Sequence, residues 1–220
     1  MTCMKKFLIA GAALAALAAP VSAATIVTNG GFEQDAGVGG NGHSFADLAT
    51  PGGPNWDVFT TVPGWNVISE HGLELQTAET IPLDPYDGDY YAELDGYENT
   101  TINQSVFLDV GTYLLSFAYS PRVNSLTTNA ISYGIDGIAA AFVNGPTSGI
   151  PMGVWTIVTM EFAVQTAGNY TLFLDAATNS DSYGGFVDAI EIAAVPLPAA
   201  GLLLLGALGG LTVLRRRKTL

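Results

Sequence analysis

The chain has 220 residues, 49% of them apolar and only 12% charged, with 20 acidic against 7 basic residues and a formal charge of −13, which gives room for one domain of ordinary size with processing segments at its ends. All 20 acidic residues fall between Glu33 and Glu191, where Arg122 is the lone basic residue, so this stretch cannot neutralise phosphates, and nucleic acid and anionic membrane surfaces are excluded as partners. Cys3 is the sole cysteine and the histidines are His43 and His71, which excludes disulfides, a thiolate nucleophile and a histidine-rich metal centre from the body of the chain.

Residues 1–23 have the order of a secretory signal. Lys5 and Lys6 form a positive start, Phe7 to Ala19 an apolar run, and Val21-Ser22-Ala23 a small-residue cleavage site after Ala23 or Ala24. Asp35 to Thr61, with Gly37-Val38-Gly39-Gly40-Asn41-Gly42 and Pro51-Gly52-Gly53-Pro54, reads as a long loop of the kind used for binding. Beyond it, alternating segments predict strands around Tyr90 to Asp95, over Thr101 to Leu108, from Tyr113 to Tyr119, and at Ala130 to Ile135 and Ala139 to Val143. Further strands are predicted at Trp155 to Val164, Tyr170 to Leu174 and Gly185 to Ile192. No sustained helical period interrupts them, so residues 24–194 predict one all-β sandwich. Leu197 to Leu214 carries no charge and would span roughly 27 Å as a helix. Arg215, Arg216, Arg217 and Lys218 follow at once, a cluster that stays in the cytoplasm.

Val195-Pro196-Leu197-Pro198-Ala199, the apolar run over 197–214 and the basic tail over 215–218 together resemble the PEP-CTERM sorting signal of Gram-negative bacteria, in its VPLPA form. That resemblance covers residues 195–220. It implies transient anchoring in the inner membrane, cutting by an exosortase after signal peptidase has acted at the other end, and a place at the cell surface or in an exopolysaccharide matrix. A permanent single-span anchor is the alternative reading of the same tail.

Six short motifs occur in a fixed order: Asn29-Gly30-Gly31-Phe32-Glu33, Val62-Pro63-Gly64-Trp65, Tyr91-Ala92-Glu93-Leu94-Asp95-Gly96, Ile102-Asn103-Gln104-Ser105-Val106, Gly111-Thr112-Tyr113-Leu114-Leu115-Ser116-Phe117 and Phe186-Val187-Asp188-Ala189-Ile190-Glu191-Ile192. The set resembles the galactose-binding-like jelly roll of several carbohydrate-binding module families and of a bacterial surface family opening with Asn-Gly-x-Phe-Glu. The resemblance implies a jelly-roll β-sandwich and a structural Ca²⁺ held by Glu33, the Gly31 carbonyl and Asp188, with Glu93 as a fourth ligand. Such a hard-oxygen set suits calcium. Ala189 stands where the family often has a second Asp, and hydrogen bonding of Glu33 and Asp188 to backbone amides is the alternative. Asp84-Pro85-Tyr86-Asp87-Gly88-Asp89 fails the EF-hand spacing.

Jelly rolls that bind glycans set aromatic faces against sugar C–H surfaces and reach hydroxyls with amides and carboxylates. The candidates here are Trp56, Tyr86, Tyr97, Tyr119 and Tyr183 for the aromatic part, and Arg122, Asn124 and Asn129 for the polar part. Trp65 and Trp155 read as core residues. Arg122, lacking competitors, either pairs with a domain carboxylate or meets a ligand. The sequence has no G-x-S-x-G elbow, and its lysine-free body cannot form a phosphate-cradling G-x-x-x-x-G-K-[ST] loop. The two resemblances together imply non-catalytic glycan or exopolysaccharide binding as the expected function. A structural surface component without a small ligand is the alternative, and a glycoside hydrolase stands third.

Overall fold

The computed structural model describes residues 26–196 apart from 79, 124–126, 146 and 178. The expected signal segment with Ala23, the tail with Leu197, Pro198, Arg215, Arg216 and Arg217, and the candidate Asn124 lie outside the described residues. Among those described, no helix is long and apolar enough to cross a membrane.

A single helical turn, α1 (Phe45–Leu48), precedes the strands β1 (Trp56–Phe59), β2 (Asn66–Ile68), β3 (Leu73–Gln76), β4 (Tyr91–Glu93), β5 (Thr101–Leu108), β6 (Gly111–Pro121), β7 (Ile131–Ile135), β8 (Ala139–Val143), β9 (Thr156–Val164), β10 (Gly168–Ala176) and β11 (Gly185–Ala194). They form a six-stranded sheet in the order β1-β3-β4-β11-β6-β9 and a five-stranded sheet in the order β2-β5-β10-β7-β8. Every pairing between them is antiparallel. Alternation decides which side faces in. On β5, Ile102, Val106 and Leu108 are buried while Ser105 and Phe107 are exposed, and the buried set packs with Leu115, Phe117, Leu172 and Leu174 between the sheets.

The opening motif is a clamp. Asn29 takes a left-handed φ of 54°, its side-chain amide donates to the Pro63 carbonyl at 2.8 Å, and its own carbonyl accepts from the Trp65 indole at 2.9 Å. A Cβ on Gly30 would run into the Ile190 carbonyl, so glycine is required where this turn crosses β11. Gln104, facing the core, is satisfied by Thr28 and Gly64 carbonyls at 2.9 and 2.6 Å. Phe32 stacks on Trp65 with centroids 5.9 Å apart. Motifs separated in sequence thus lock one another in space.

β1 falls inside the stretch expected to be a loop, and β2 and β3 had no predicted counterpart. Each is only three or four residues long, too short for alternation to register, and Asp57 at the centre of β1 has the look of a turn residue. Its buried carboxylate instead receives the Asn41 and His43 amides at 2.9 and 3.0 Å, which folds the glycine-rich segment onto the edge strand.

Candidate functional site

Trp56 opens edge strand β1, half-buried, opposite Gln76, its partner on β3. Tyr97, in the loop after β4, meets it edge-on with centroids 6.1 Å apart, and the His71 ring approaches Tyr97 at 5.8 Å. Tyr97 is 45% exposed and its hydroxyl donates to Asn41 Oδ1 at 3.0 Å. Carboxylates hold both flanking loops. Asp57 fixes the segment bearing Asn41, while Glu98 Oε1 accepts from the Ser69 hydroxyl and the Glu70 and His71 amides at 2.7, 2.6 and 3.1 Å. The Ser69 hydroxyl and these amides hold Glu98 down at about 2. The result is an open cluster of three rings with a neutral amide beside it, suited to the apolar face and hydroxyls of a sugar.

Beneath this loop lies a buried polar network. A Cβ on Gly96, next to Tyr97, would lie 2.6 Å from Glu74 Oε2. The Gln76 amide nitrogen donates to Glu74 and Glu93 at 2.5 Å each, and the Tyr91 hydroxyl donates to Gln76 Oε1 at 3.2 Å. Arg122 Nη1 reaches both oxygens of Glu93 at 2.7 and 2.6 Å, with the half-exposed Tyr183 ring 5.1 Å from the guanidinium. Burial pushes Glu74 up to about 7 and Glu93 up to about 8, because one guanidinium cannot offset the desolvation of two carboxylates. This arrangement corrects one expectation and decides another. Glu93 is not a metal ligand beside Glu33 and Asp188, since its carboxylate is taken up by Arg122, Gln76 and the Gly184 amide. Arg122 makes the ion pair that was one of its two readings, and its charge is committed there.

The remaining implied calcium ligands do converge. A Cβ on Gly31 would lie 3.6 Å from Asp188 Oδ1, 3.9 Å from Glu33 Cγ and 4.0 Å from Asp87 Oδ2. Asp188 is fully buried, and burial pushes it up to about 7; Glu33 is likewise raised by desolvation. Backbone amides face both: Tyr86 and Asp87 donate to Asp188 Oδ2 at 2.8 and 3.0 Å, and Asp89 and Tyr90 to Glu33 Oε1 at 2.9 and 3.0 Å. Among the described residues no group of three or more His, Cys, Asp or Glu side chains could hold a metal as it stands. These amide bonds are the alternative to calcium that the sequence left open for Glu33 and Asp188.

Of the other candidates, Tyr119 is corrected from glycan contact to core. It is fully buried, its hydroxyl donating to the Asn129 carbonyl and accepting from the Gly145 amide, both at 2.8 Å. Asn129 is also internal, its side chain accepting from the Arg122 amide at 2.9 Å. Tyr86 is half-exposed but apart from Trp56, edge-on to Trp155 at 6.5 Å. Trp155 is not in the core between the sheets; it packs with Leu83, Tyr91 and Phe186 on the outer side of the six-stranded sheet. Val195 follows β11 directly, its amide bonded to the Thr112 carbonyl at 2.8 Å, and Pro196 ends the described segment.

One surface escaped the sequence reading. Pairing places Asn66 opposite Asn103, Asn103 opposite Phe173, and Phe107 opposite Asn169, all on the outward face of the five-stranded sheet. Phe107 is 59% exposed there and Phe142 55%. The alternation along Thr101 to Leu108 was the available signal, since it sorts Asn103, Ser105 and Phe107 onto the face opposite the core.

No family model matches this chain, and no curated protein matches it in sequence. Solved structures do resemble it. TmCBM61 in complex with β-1,4-galactotriose superposes with a TM-score of 0.50 at 14% identity, over 78% of this chain and 99% of that one. A family 4 carbohydrate-binding module gives 0.43 at 14% identity over 77% and 99%. A family 35 module from Clostridium thermocellum gives 0.42 at 17% over 60% and 92%. The first of these carries the fold: the described chain is a jelly-roll β-sandwich of two antiparallel sheets.

Proposed function

We propose that this chain is a non-catalytic glycan-binding protein of the bacterial surface or extracellular matrix. The observation that carries the reading is the meeting of Trp56, Tyr97 and His71, brought from three separate segments into one solvent-open cluster and held by carboxylate-to-amide bonds on both sides. A sugar ring would lie against Trp56 and Tyr97, with Asn41 and Glu98 as hydroxyl acceptors. Ca²⁺, held by Glu33, Asp188 and the Gly31 carbonyl, would tie the segment before β4 to the opening turn. Export, signal-peptidase cleavage and exosortase processing rest on the terminal segments of the sequence. The test is retention of the purified full chain on a panel of neutral and uronic-acid polysaccharides. Retention on at least one neutral glycan is expected, and no retention on any overturns the reading.

A structural role without a small ligand is the second reading. The exposed Ile68, Phe107 and Phe142 on the outward face of the five-stranded sheet favour it, since uncovered apolar side chains on one face suit association between copies. It predicts concentration-dependent self-association with no sugar preference.

A further inference from the structure

Strand β11 contains a second feature that the aromatic cluster does not use. Its pairing with β6 shifts register between Asp188 and Glu191, and Ala189 in that bulge adopts a φ of 48°, a strained value for a residue with a side chain. The bulge forms the floor of a cavity of about 300 Å³ lined by Tyr86, Asp87, Ser116, Ile157, Ala189 and Glu191. Asp188 builds it. From one buried carboxylate it accepts the Tyr86, Asp87 and Ala189 amides at 2.8, 3.0 and 2.6 Å, so a single residue fixes three of the lining positions.

The walls have the chemistry of a sugar site. Tyr86 is 49% exposed and Ile157 is 45% exposed, offering apolar surface, and Ser116 and Glu191 line the same space. The Glu191 carboxylate has no hydrogen-bond or ion-pair partner among the described residues, so it is available to accept from a hydroxyl, a charge-assisted contact. The volume sits at the bottom of the range of about 300–1,000 Å³ for ligand pockets, which suits one sugar unit rather than an oligomer. Across the Tyr86 ring a further cavity of about 480 Å³ opens, walled by Pro82, Leu83, Val154 and Trp155. Trp155 is held in place there by its indole bond to the Asp84 carbonyl at 2.7 Å. No lysine or arginine lines either cavity, so neither can neutralise a carboxylated or sulfated sugar.

We propose that the Tyr86 cavity on the β11 bulge is a second glycan subsite, taking a single neutral hexose unit and continuing past the Tyr86 ring toward Trp155. The proposal rests on the glycan-binding reading above. Its site lies on other elements than Trp56 and Tyr97, so substitution at one leaves the lining of the other intact.

The experiment uses the full chain and the neutral polysaccharide it retains best in the panel, with Tyr86→Ala, Glu191→Ala and Trp56→Ala compared with wild type by affinity electrophoresis, and melting temperatures measured alongside. Tyr86→Ala and Glu191→Ala are each expected to weaken binding about tenfold with unchanged melting temperature, both side chains being solvent-exposed. Wild-type affinity in both, with binding lost in Trp56→Ala, overturns the second subsite and leaves the first standing. Absence of wild-type retention on every neutral polysaccharide overturns both. Glu191→Lys adds a readout of charge: uronic-acid polymer should be retained by this variant and not by wild type, and identical exclusion of that polymer by both would contradict the assigned role of Glu191.

Discussion

Glu93 and Glu98 stand close together in the chain and behave in opposite ways. Glu98 lies at the solvent edge of the aromatic cluster, where the Ser69 hydroxyl and neighbouring amides keep it ionised, down at about 2. Glu93 has donors too, from Arg122, Gln76 and Gly184, yet burial beside Glu74 lifts it to about 8. Donors alone do not keep a carboxylate charged; access to water decides. In a body with one basic residue, acids therefore serve two purposes. At the loops Glu98 and Asp57 act as staples for backbone amides. Under the sheet, Glu74 and Glu93 are both pushed upward by burial, and Arg122 pairs with Glu93.

The largest expected effect breaks the buried side of this contrast. Arg122→Met leaves Glu93 without its ion-pair partner, and above pH 8, where Glu93 is ionised, the loss should approach about 3–5 kcal/mol. At pH 6, where burial favours the protonated form of Glu93, the loss should be smaller. Urea denaturation at pH 6 and pH 9 measures both, and an equal loss at the two pH values would mean that Glu93 is ionised throughout.

A smaller effect sharpens the comparison. Folded Glu74 and Glu93 hold protons up to about 7 and about 8, whereas their ordinary value is 4.5. Between those pH values the folded chain carries more protons than the unfolded one, so stability is full below about 4.5 and falls as pH rises toward 8. Glu74→Gln removes one of these groups while keeping an amide in its place. It should flatten the decline and stabilise the domain at pH 8 by on the order of 1 kcal/mol. A variant whose stability falls with pH as steeply as wild type contradicts the assignment.

The smallest expected effect concerns the Glu33–Asp188 group, where the same acids could serve a cation. Millimolar Ca²⁺ should raise the wild-type melting temperature by a few degrees through binding to the folded state alone, and Glu33→Ala should not respond. Equal responses would remove Glu33 from the ligand set.

Strands with several periods of alternation, such as β5, β6, β9 and β11, were legible in the sequence because each has enough residues to sort two faces. β1 to β3 were not, and what fixes them is long-range: Asp57 to the glycine-rich loop, Asn29 to Pro63 and Trp65. For the site, Trp56 and Tyr97 were readable as loop aromatics, and the structure unites them. Tyr119 misled because an aromatic at a predicted strand end is as compatible with a surface as with a core, while its hydroxyl closes an internal bridge between Asn129 and Gly145. Glu93 misled because one-dimensional motif order carries no information on which carboxylates share a face. Arg122 was legible as a choice between two partners, and burial settled it in favour of Glu93.

The most direct measurement is the affinity of Trp56→Ala, relative to wild type, for the neutral polysaccharide that wild type retains best, with the melting temperature recorded for both. A loss of about tenfold or more at unchanged melting temperature is the result predicted for a glycan-binding face built on Trp56 and Tyr97. Unchanged affinity in a folded variant would contradict it.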